Sequence, residues 1–197
     1  MTRLRPADNP FRVQRLDRLR YRLTAHERRA LFARLLAERR GALIGPHGSG
    51  KTTLLEELAT ALRERGEAVR LLRLHGNEPT ERAAWRAFLA RPAGQWLLLD
   101  GAEQLGLWGR TRLRSAARRA AGLLVTAHGP LPAPLRLPVL REHATTPALL
   151  VELIGELTQP ADAERWRARA DALYREHQGN LRDCLMACYD LAGREGL

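Results

Sequence analysis

The segment 45–52 constrains this chain more than any other, because three glycines are spaced closely before the single lysine of the sequence. It reads Gly-Pro-His-Gly-Ser-Gly-Lys-Thr and has the spacing G-x-x-x-x-G-K-[ST]. Glycines at this spacing let the backbone curve until several N–H groups converge on an anion, and the positive end of a following helix adds to the attraction. The segment therefore predicts a phosphate site.

Lysine at position 51 departs from the composition of the rest of the chain. Of the 33 basic residues, Lys51 alone is not an arginine. A slender ammonium passes among closely spaced amides to reach a phosphate, whereas a planar guanidinium is too wide. A short apolar strand at 41–44 comes before the segment, and an amphipathic helix at 53–62 follows it. This context is typical of the P-loop, or Walker A motif; the alternative is a glycine-rich turn that starts a helix.

Strands and helices alternate through the middle of the chain. The predicted strands are 41–44, 68–74, 96–100, 123–126 and 137–140, with helices at about 25–40, 53–65, 80–90 and 108–120. Such alternation predicts an α/β fold, a three-layer sandwich built on a five-stranded parallel sheet. We expect three regions: an N-terminal arm and helix (1–40), a P-loop nucleotide-binding core (41–145) and a small helical lid (146–197). Thr146, Pro160 and Gly179 mark the starts of the lid helices.

A carboxylate ends the most apolar of the predicted strands. Trp-Leu-Leu-Leu-Asp at 96–100 brings Asp100 to the carboxyl edge of the sheet, where the P-loop also lies in a parallel arrangement. An aspartate about fifty residues after a P-loop is typical of the Walker B motif, which holds the water shell of magnesium opposite Thr52. The alternative is a strand-end aspartate that caps the next turn.

At this point residues 41–193 resemble the AAA+ and STAND ATPases, P-loop families with a strand inserted between Walker A and Walker B. The resemblance implies binding of ATP and Mg²⁺, with Thr52 and Asp100 as the metal ligands. In these families a glutamate that orients the attacking water usually follows the Walker B aspartate. This chain has Gly101 there instead, and Glu103 is the alternative catalytic acid unless it is merely a solvated helix-start residue.

Two more motifs match the family pattern. Thr126 ends the strand after Walker B, where a polar residue senses the γ-phosphate, and His128 follows it; either is equally well explained as a strand-end cap. Gln-Gly-Asn-Leu-Arg at 178–182 resembles the Gly-Asn-x-Arg step of the family lid, in which Arg182 reaches the phosphates. The alternative is an exposed arginine. The nucleotide-binding set implied by the resemblance is Gly45, Pro46, His47, Gly48, Ser49, Gly50, Lys51, Thr52, Thr53, Asp100 and Thr126, with Lys51, Glu103 and Arg182 as the catalytic residues.

The positive charge is concentrated near the N-terminus. The net charge is +11, and residues 1–40 carry +8. Such a segment neutralises the phosphates of a nucleic acid or contacts an acidic partner, although solvated helix faces explain it equally well. An arginine finger acting in trans is not assigned among Arg110, Arg112 and Arg114. Cys184 and Cys188 share an apolar helical stripe, which predicts buried thiols rather than metal ligands.

Three functions fit these motifs. The first is a slow Mg-dependent ATPase of AAA+/STAND type that couples nucleotide state to a protein partner or to a second copy of the chain. The second is a non-hydrolysing nucleotide switch or nucleic-acid adaptor, which Gly101 and the basic arm favour. The third is a small-molecule kinase, for which Glu78 is the nearest acceptor-activating acid. No guanine-reading Asn-Lys-x-Asp motif exists, which favours ATP over GTP. No leader or long apolar run occurs, so we expect a cytoplasmic protein without a membrane anchor.

Overall fold

A computed structural model of the chain describes residues 5–74 and 79–195. Its contacts divide these residues into two compact units. We call residues 21–45 and 50–143 the sheet unit, and the described residues within 1–20, 46–49 and 144–197 the helical unit. The N-terminal region 1–40 is thus divided at residue 20, and residues 46–49 of the glycine-rich segment are grouped with the C-terminal helices.

The elements follow one another in nearly the predicted order. The helices are α1 Val13–Leu16, α2 Ala25–Glu38, α3 Lys51–Glu64, α4 Pro79–Leu89, α5 Leu107–Ala117, α6 Pro147–Leu157, α7 Pro160–Glu176 and α8 Leu181–Glu195. The strands are β1 Arg40–Ile44, β2 Ala68–Arg73, β3 Gln95–Asp100, β4 Gly122–Ala127 and β5 Val139–Glu142. A 3-10 helix, Ala102–Gln104, follows β3.

The strands form one five-stranded sheet in the order β2-β3-β4-β1-β5, and every neighbouring pair is parallel. The predicted α/β fold with a five-stranded parallel sheet is confirmed. Strand β4 lies between β1 and β3, with Thr126 opposite Leu43 and Val125 opposite Leu99. The carboxyl ends of β1, β3 and β4 therefore meet at one edge of the sheet.

Apolar side chains cover both faces of this sheet. Within β3, Leu98 faces the side where Leu35 of α2 and Leu54 of α3 are buried. Leu97 faces the other side, with Leu113 of α5. Alternate strand residues point to opposite faces, so a strand that is apolar at every position is buried on both. The sheet unit is consequently a three-layer sandwich.

The helical unit has its own core. Helices α6 and α7 begin at the predicted positions, whereas α8 begins at Leu181, two residues after the predicted Gly179. Thr146 caps α6 by accepting a 3.1 Å hydrogen bond from the N–H of Leu149. Phe11 and Trp166 are both buried there, and their rings meet edge to face with centroids 4.8 Å apart. The side chain of Asn9 donates a 2.9 Å hydrogen bond to the carbonyl of Tyr189. The residues around Phe11 are therefore packed into this unit.

Both cysteines lie in the core of the helical unit, as predicted. Cys184 and Cys188 are fully buried thiols that form no disulfide. Across the two described ranges, 5–74 and 79–195, no helix combines the length and the apolar character needed to cross a membrane.

Candidate functional site

The carboxylate of Asp100 is held in place from the neighbouring strand of the sheet. Thr126, which is buried in β4, donates its hydroxyl proton to Oδ1 of Asp100. The same hydroxyl accepts a 2.9 Å hydrogen bond from the backbone N–H of Gly101. A single threonine thus fixes both the side chain that ends β3 and the peptide that follows it. The hydroxyl of Thr126 donates its proton to Asp100 in this structure. A role of Thr126 in sensing phosphate stays a prediction.

The second oxygen of Asp100 is bonded to the helix that follows the glycine-rich segment. Thr52 lies in the first turn of α3, and its hydroxyl donates a 2.8 Å hydrogen bond to Oδ2 of Asp100. The two residues predicted to bind a metal are therefore adjacent. A hydroxyl and a carboxylate oxygen are hard ligands, of the kind that Mg²⁺ prefers.

Lys51 is buried at the start of α3, where 8% of its surface is exposed. Its ammonium donates a 2.7 Å hydrogen bond to the carbonyl of Gly45. Burial lowers the pKa of Lys51, and the negative charges of Glu103 and Asp100, in that order of strength, act in the opposite direction. The charges of both carboxylates therefore act on the ammonium of Lys51.

Gly101 has a backbone conformation that disfavours any residue with a side chain. Its φ is +85°, and a Cβ at this position would lie 3.1 Å from the carbonyl oxygen of Leu74 and 2.8 Å from the side-chain nitrogen of Gln104. Residues with a Cβ adopt such a φ only with strain. The left-handed turn at Gly101 leads directly into the 3-10 helix that carries Glu103.

Glu103 lies beside a histidine of the neighbouring strand. Its Oε1 is 3.5 Å from Nε2 of His128, which follows β4, and the pair becomes an ion pair when the imidazole is protonated. The two side chains are only partly exposed, 29% for Glu103 and 37% for His128. The sequence predicted that His128 lies near the site, because it closely follows Thr126. No sequence pattern predicted its contact with Glu103.

The glycines of the motif adopt conformations that other residues avoid. Gly45 and Gly50, both of the sheet unit, have φ values of +152° and +83°. A Cβ on Gly45 would lie 2.6 Å from the carbonyl oxygen of His143, and one on Gly50 would lie 2.8 Å from the ring of Tyr21. These contacts require glycine at both positions. No sequence pattern predicted that Tyr21 would lie close to Gly50, since the two residues are 29 positions apart in the chain.

The middle of the motif and the predicted lid residues belong to the helical unit. Ser49 is buried and donates a 2.8 Å hydrogen bond to the carbonyl of Pro46. Gly48 has a φ of +67°, and a Cβ there would overlap the side-chain oxygen of Asn180. Asn180 directly precedes α8, and the same oxygen accepts a 3.4 Å hydrogen bond from the N–H of Asp183.

Arg182 lies in the first turn of α8, where the sequence placed it. It is exposed, and Nη2 lies 3.5 Å from a carboxylate oxygen of Asp17 in the same unit. The anion that it faces here is thus an aspartate, and contact with a phosphate stays a prediction. Two further residues were predicted to bind nucleotide. Of these, His47 is exposed and Thr53 is half-buried.

A scan against models of known protein families gave no match, and a search of curated proteins found no similar sequence. Among the residues that the structure describes, no three His, Cys, Asp or Glu side chains gather into a metal-binding group.

Proposed function

We propose that this chain is an ATP-binding P-loop protein and a slow Mg-dependent ATPase, similar to the AAA+ and STAND families, which couples nucleotide state to a partner. The observation that carries the proposal is the 2.8 Å hydrogen bond between Thr52 and Asp100. It joins the last residue of the G-x-x-x-x-G-K-[ST] segment to the carboxylate of a central strand. Walker A and Walker B residues have this relationship in P-loop NTPases.

The order of the strands supports the same family group. An inserted strand separates the Walker A strand from the Walker B strand in the group that the sequence resembles. Here β4 lies between β1, which leads into the glycine-rich segment, and β3, which ends in Asp100. A fold by itself does not define an activity, so the proposal depends on the site.

The residues present fit a magnesium ion. Thr52 and Asp100 supply two adjacent hard oxygens, and no larger cluster of acidic side chains accompanies them among the described residues. This suits Mg²⁺, which keeps most of its water shell and takes only one or two protein ligands beside phosphate oxygens. Bound there, the ion would neutralise charge on the phosphates. Thr126 would keep Asp100 oriented for that task.

Lys51 and Glu103 have complementary roles in this proposal. The buried ammonium is a compact positive charge that would compensate a phosphate, and burial strengthens that attraction because it excludes water. Glu103 is one of the two carboxylates whose charge acts on that ammonium. We assign Glu103 to orient and deprotonate the attacking water, in place of the glutamate that position 101 does not accommodate.

The test compares the wild-type chain with Lys51→Ala, Glu103→Gln and the control Glu64→Gln, an exposed acid at the end of α3. Phosphate release from Mg-ATP and equilibrium binding of ATP are measured in parallel. We expect Lys51→Ala to lose both, and Glu103→Gln to bind ATP while its turnover falls by about 10²-fold or more. Wild-type protein that binds no ATP, or Lys51→Ala protein that binds it equally well, would refute the proposal.

A second candidate function is a nucleotide switch that does not hydrolyse ATP. The conformation of Gly101 favours it, because the usual catalytic glutamate is absent and Glu103 reaches the site by another route. ATP binding that depends on Lys51, without turnover in either wild type or Glu103→Gln, would support the switch. The acid that a kinase would need, Glu78, lies outside the described residues.

A further inference from the structure

The outward face of α5 is unusual in both charge and exposure. Residues 107–119 contain five arginines and no acidic residue. Trp108 is 80% exposed and Leu107 is 58% exposed, while Leu113 is fully buried against the sheet. Tryptophan is enriched at binding surfaces, because its ring is largely apolar while its N–H can form a hydrogen bond.

Helical spacing places the tryptophan and the arginines together. Leu113, Ala116 and Ala117 define the buried side of α5. Residues three or four positions apart share a face of a helix. Trp108, Arg112 and Ser115 therefore lie along the opposite side.

The positive charges continue beyond the end of the helix. The backbone stays turned there, because the N–H groups of Arg118 and Arg119 bond to the carbonyls of Arg114 and Ala116. Arg119 consequently extends the outward row, and Arg118 lies beside it. This ridge, Trp108, Arg112, Arg118 and Arg119, spans about 17 Å at about 1.5 Å per residue.

The arginines of the ridge are not neutralised by neighbouring acids. Arg112, Arg118 and Arg119 are exposed, and within residues 5–74 and 79–195 none of them forms an ion pair. Arg28, Arg34 and Arg73 of the same unit, in contrast, each pair with a glutamate. The charge of the ridge is therefore available to a polyanion.

We propose that the Trp108 ridge binds single-stranded nucleic acid. Arginines neutralise phosphates along the backbone, and an exposed indole provides a flat surface on which a base stacks. Guanidinium groups also stack on bases, which distinguishes arginine from lysine as a ligand. A base reaches Trp108 only when it is unstacked from its own strand, so a single strand fits this surface better than a duplex. An acidic polypeptide would satisfy the arginines and leave the indole without a specific partner.

The position of the ridge along the chain gives the binding a consequence. Trp108 stands five residues after Glu103, at the start of the helix that follows the 3-10 turn. A single-stranded nucleic acid bound at Trp108 would affect the conformation of the segment that carries Glu103. This consequence rests on the proposed ATPase function, whereas binding to the ridge does not.

The experiment measures binding of a fluorescein-labelled 20-nucleotide oligothymidylate by anisotropy, without ATP, so that failure of the ATPase proposal does not affect the result. The variants are Trp108→Ala, Trp108→Phe and the double change Arg112→Ser with Arg119→Ser. The matched control is Arg63→Ser with Arg65→Ser, which removes the same charge from exposed arginines at the end of α3.

We expect Trp108→Ala to weaken binding about tenfold, the equivalent of one lost base stack, and Trp108→Phe to retain most of the affinity. The Arg112/Arg119 double variant should weaken binding further and reduce the slope of log affinity against log salt by about 1.4, roughly 0.7 per phosphate contact. The control pair should change both quantities much less, and a duplex of the same length should bind more weakly than the single strand.

Four results would overturn the proposal. One is the absence of binding, and another is an equal loss in the ridge and control pairs, which would indicate unspecific attraction. A third is competition by polyglutamate as strong as by oligothymidylate, with no effect of Trp108→Ala, which would assign the ridge to an acidic polypeptide. The fourth is a concentration-dependent dimer that Trp108→Ala abolishes without any change in oligonucleotide binding, which would assign it to a second copy of the chain.

Discussion

The hydroxyl of Thr52 donates a 2.8 Å hydrogen bond to Oδ2 of Asp100. One residue lies in the first turn of α3 and the other ends β3, so the bond connects a helix N-terminus to the carboxyl edge of the sheet. Asp100 is therefore oriented through both of its oxygens, since Thr126 occupies Oδ1. A carboxylate held in this way does not have to reorganise when a cation arrives, which lowers the cost of binding it.

Under the proposed ATPase function, replacing Thr52 by alanine should remove the contribution of magnesium to ATP affinity. We expect Thr52→Ala to weaken binding about tenfold in Mg²⁺, or roughly 1.4 kcal/mol, and to leave binding in EDTA almost unchanged. Thr52→Ser keeps the hydroxyl and should behave as wild type. Thr60→Ala is the control, because Thr60 is an exposed threonine of the same helix. Equal effects of Thr52→Ala and Thr60→Ala on binding in Mg²⁺ would contradict the assignment of Thr52.

Replacing Thr126 by valine should destabilise the sheet unit. The change leaves the buried N–H of Gly101 without its acceptor, and it leaves Oδ1 of the half-buried Asp100 without its donor. An unsatisfied buried group costs about 1–3 kcal/mol, so urea denaturation should show a loss of that size. Thr126→Ser retains the hydroxyl and should recover most of it. A Thr126→Val protein as stable as wild type would show that water replaces these bonds at no cost.

Introducing a glutamate at Gly101 should not create a catalytic acid there. The φ of Gly101 is +85°, and a Cβ added there would lie 3.1 Å from the carbonyl oxygen of Leu74. Gly101→Glu should therefore lose stability by about 1–2 kcal/mol or more and gain no turnover. Gly129→Ala is the control, because Gly129 has open space around it. Thermal unfolding and phosphate release check the two halves of this prediction, and a Gly101→Glu protein that hydrolyses ATP faster than wild type would contradict it.

The parts of the fold predicted from the sequence are those encoded by local periodicity. Strand β3 is a continuous apolar run, which parallel strands covered on both faces require, and it ends at Asp100 as expected. Helix α2 begins at a capping box, with Thr24 and Glu27 exchanging 3.1 Å and 2.9 Å hydrogen bonds between side chain and backbone. Signals of this kind involve residues only a few positions apart, so a single sequence contains them.

The parts that were not predicted depend on contacts between distant residues. Arg182 and Asp17, which lie close together, are 165 positions apart in the chain. The contact of His128 with Glu103 depends on the conformations of the segments that follow β4 and β3. The packing of Phe11 against Trp166 had no local signal either, since the two residues are far apart in the chain. Side-chain positions of this kind follow from the assembled core, not from a repeating pattern.

The two cysteine thiols should be unreactive in the folded protein. Burial raises the pKa of Cys184 to about 11 and that of Cys188 to about 12. At pH 8 the thiolate fraction is therefore about one in a thousand or less, whereas an ordinary cysteine with a pKa of about 8.5 is roughly one quarter ionised. We expect Ellman's reagent at pH 8 to modify both thiols rapidly in 6 M guanidinium and only slowly in buffer. Rapid modification in buffer would show that the helical unit opens easily.

Replacing Phe11 by alanine should make these thiols accessible, because the ring is buried against Trp166 in the core that also holds Cys184. Phenylalanine-to-alanine changes in a core cost about 3–5 kcal/mol, which corresponds to at least about 10²-fold more frequent opening of the unit. The rate of thiol modification at pH 8 should rise by that factor when opening limits access. Val13→Ala, at a site that is 41% exposed, serves as the control and should leave the rate within about twofold. Equal rates in Phe11→Ala and wild type would mean that residues 5–20 add little to the stability of the helical core, and that the basic N-terminal segment is held there by weaker contacts than its burial indicates.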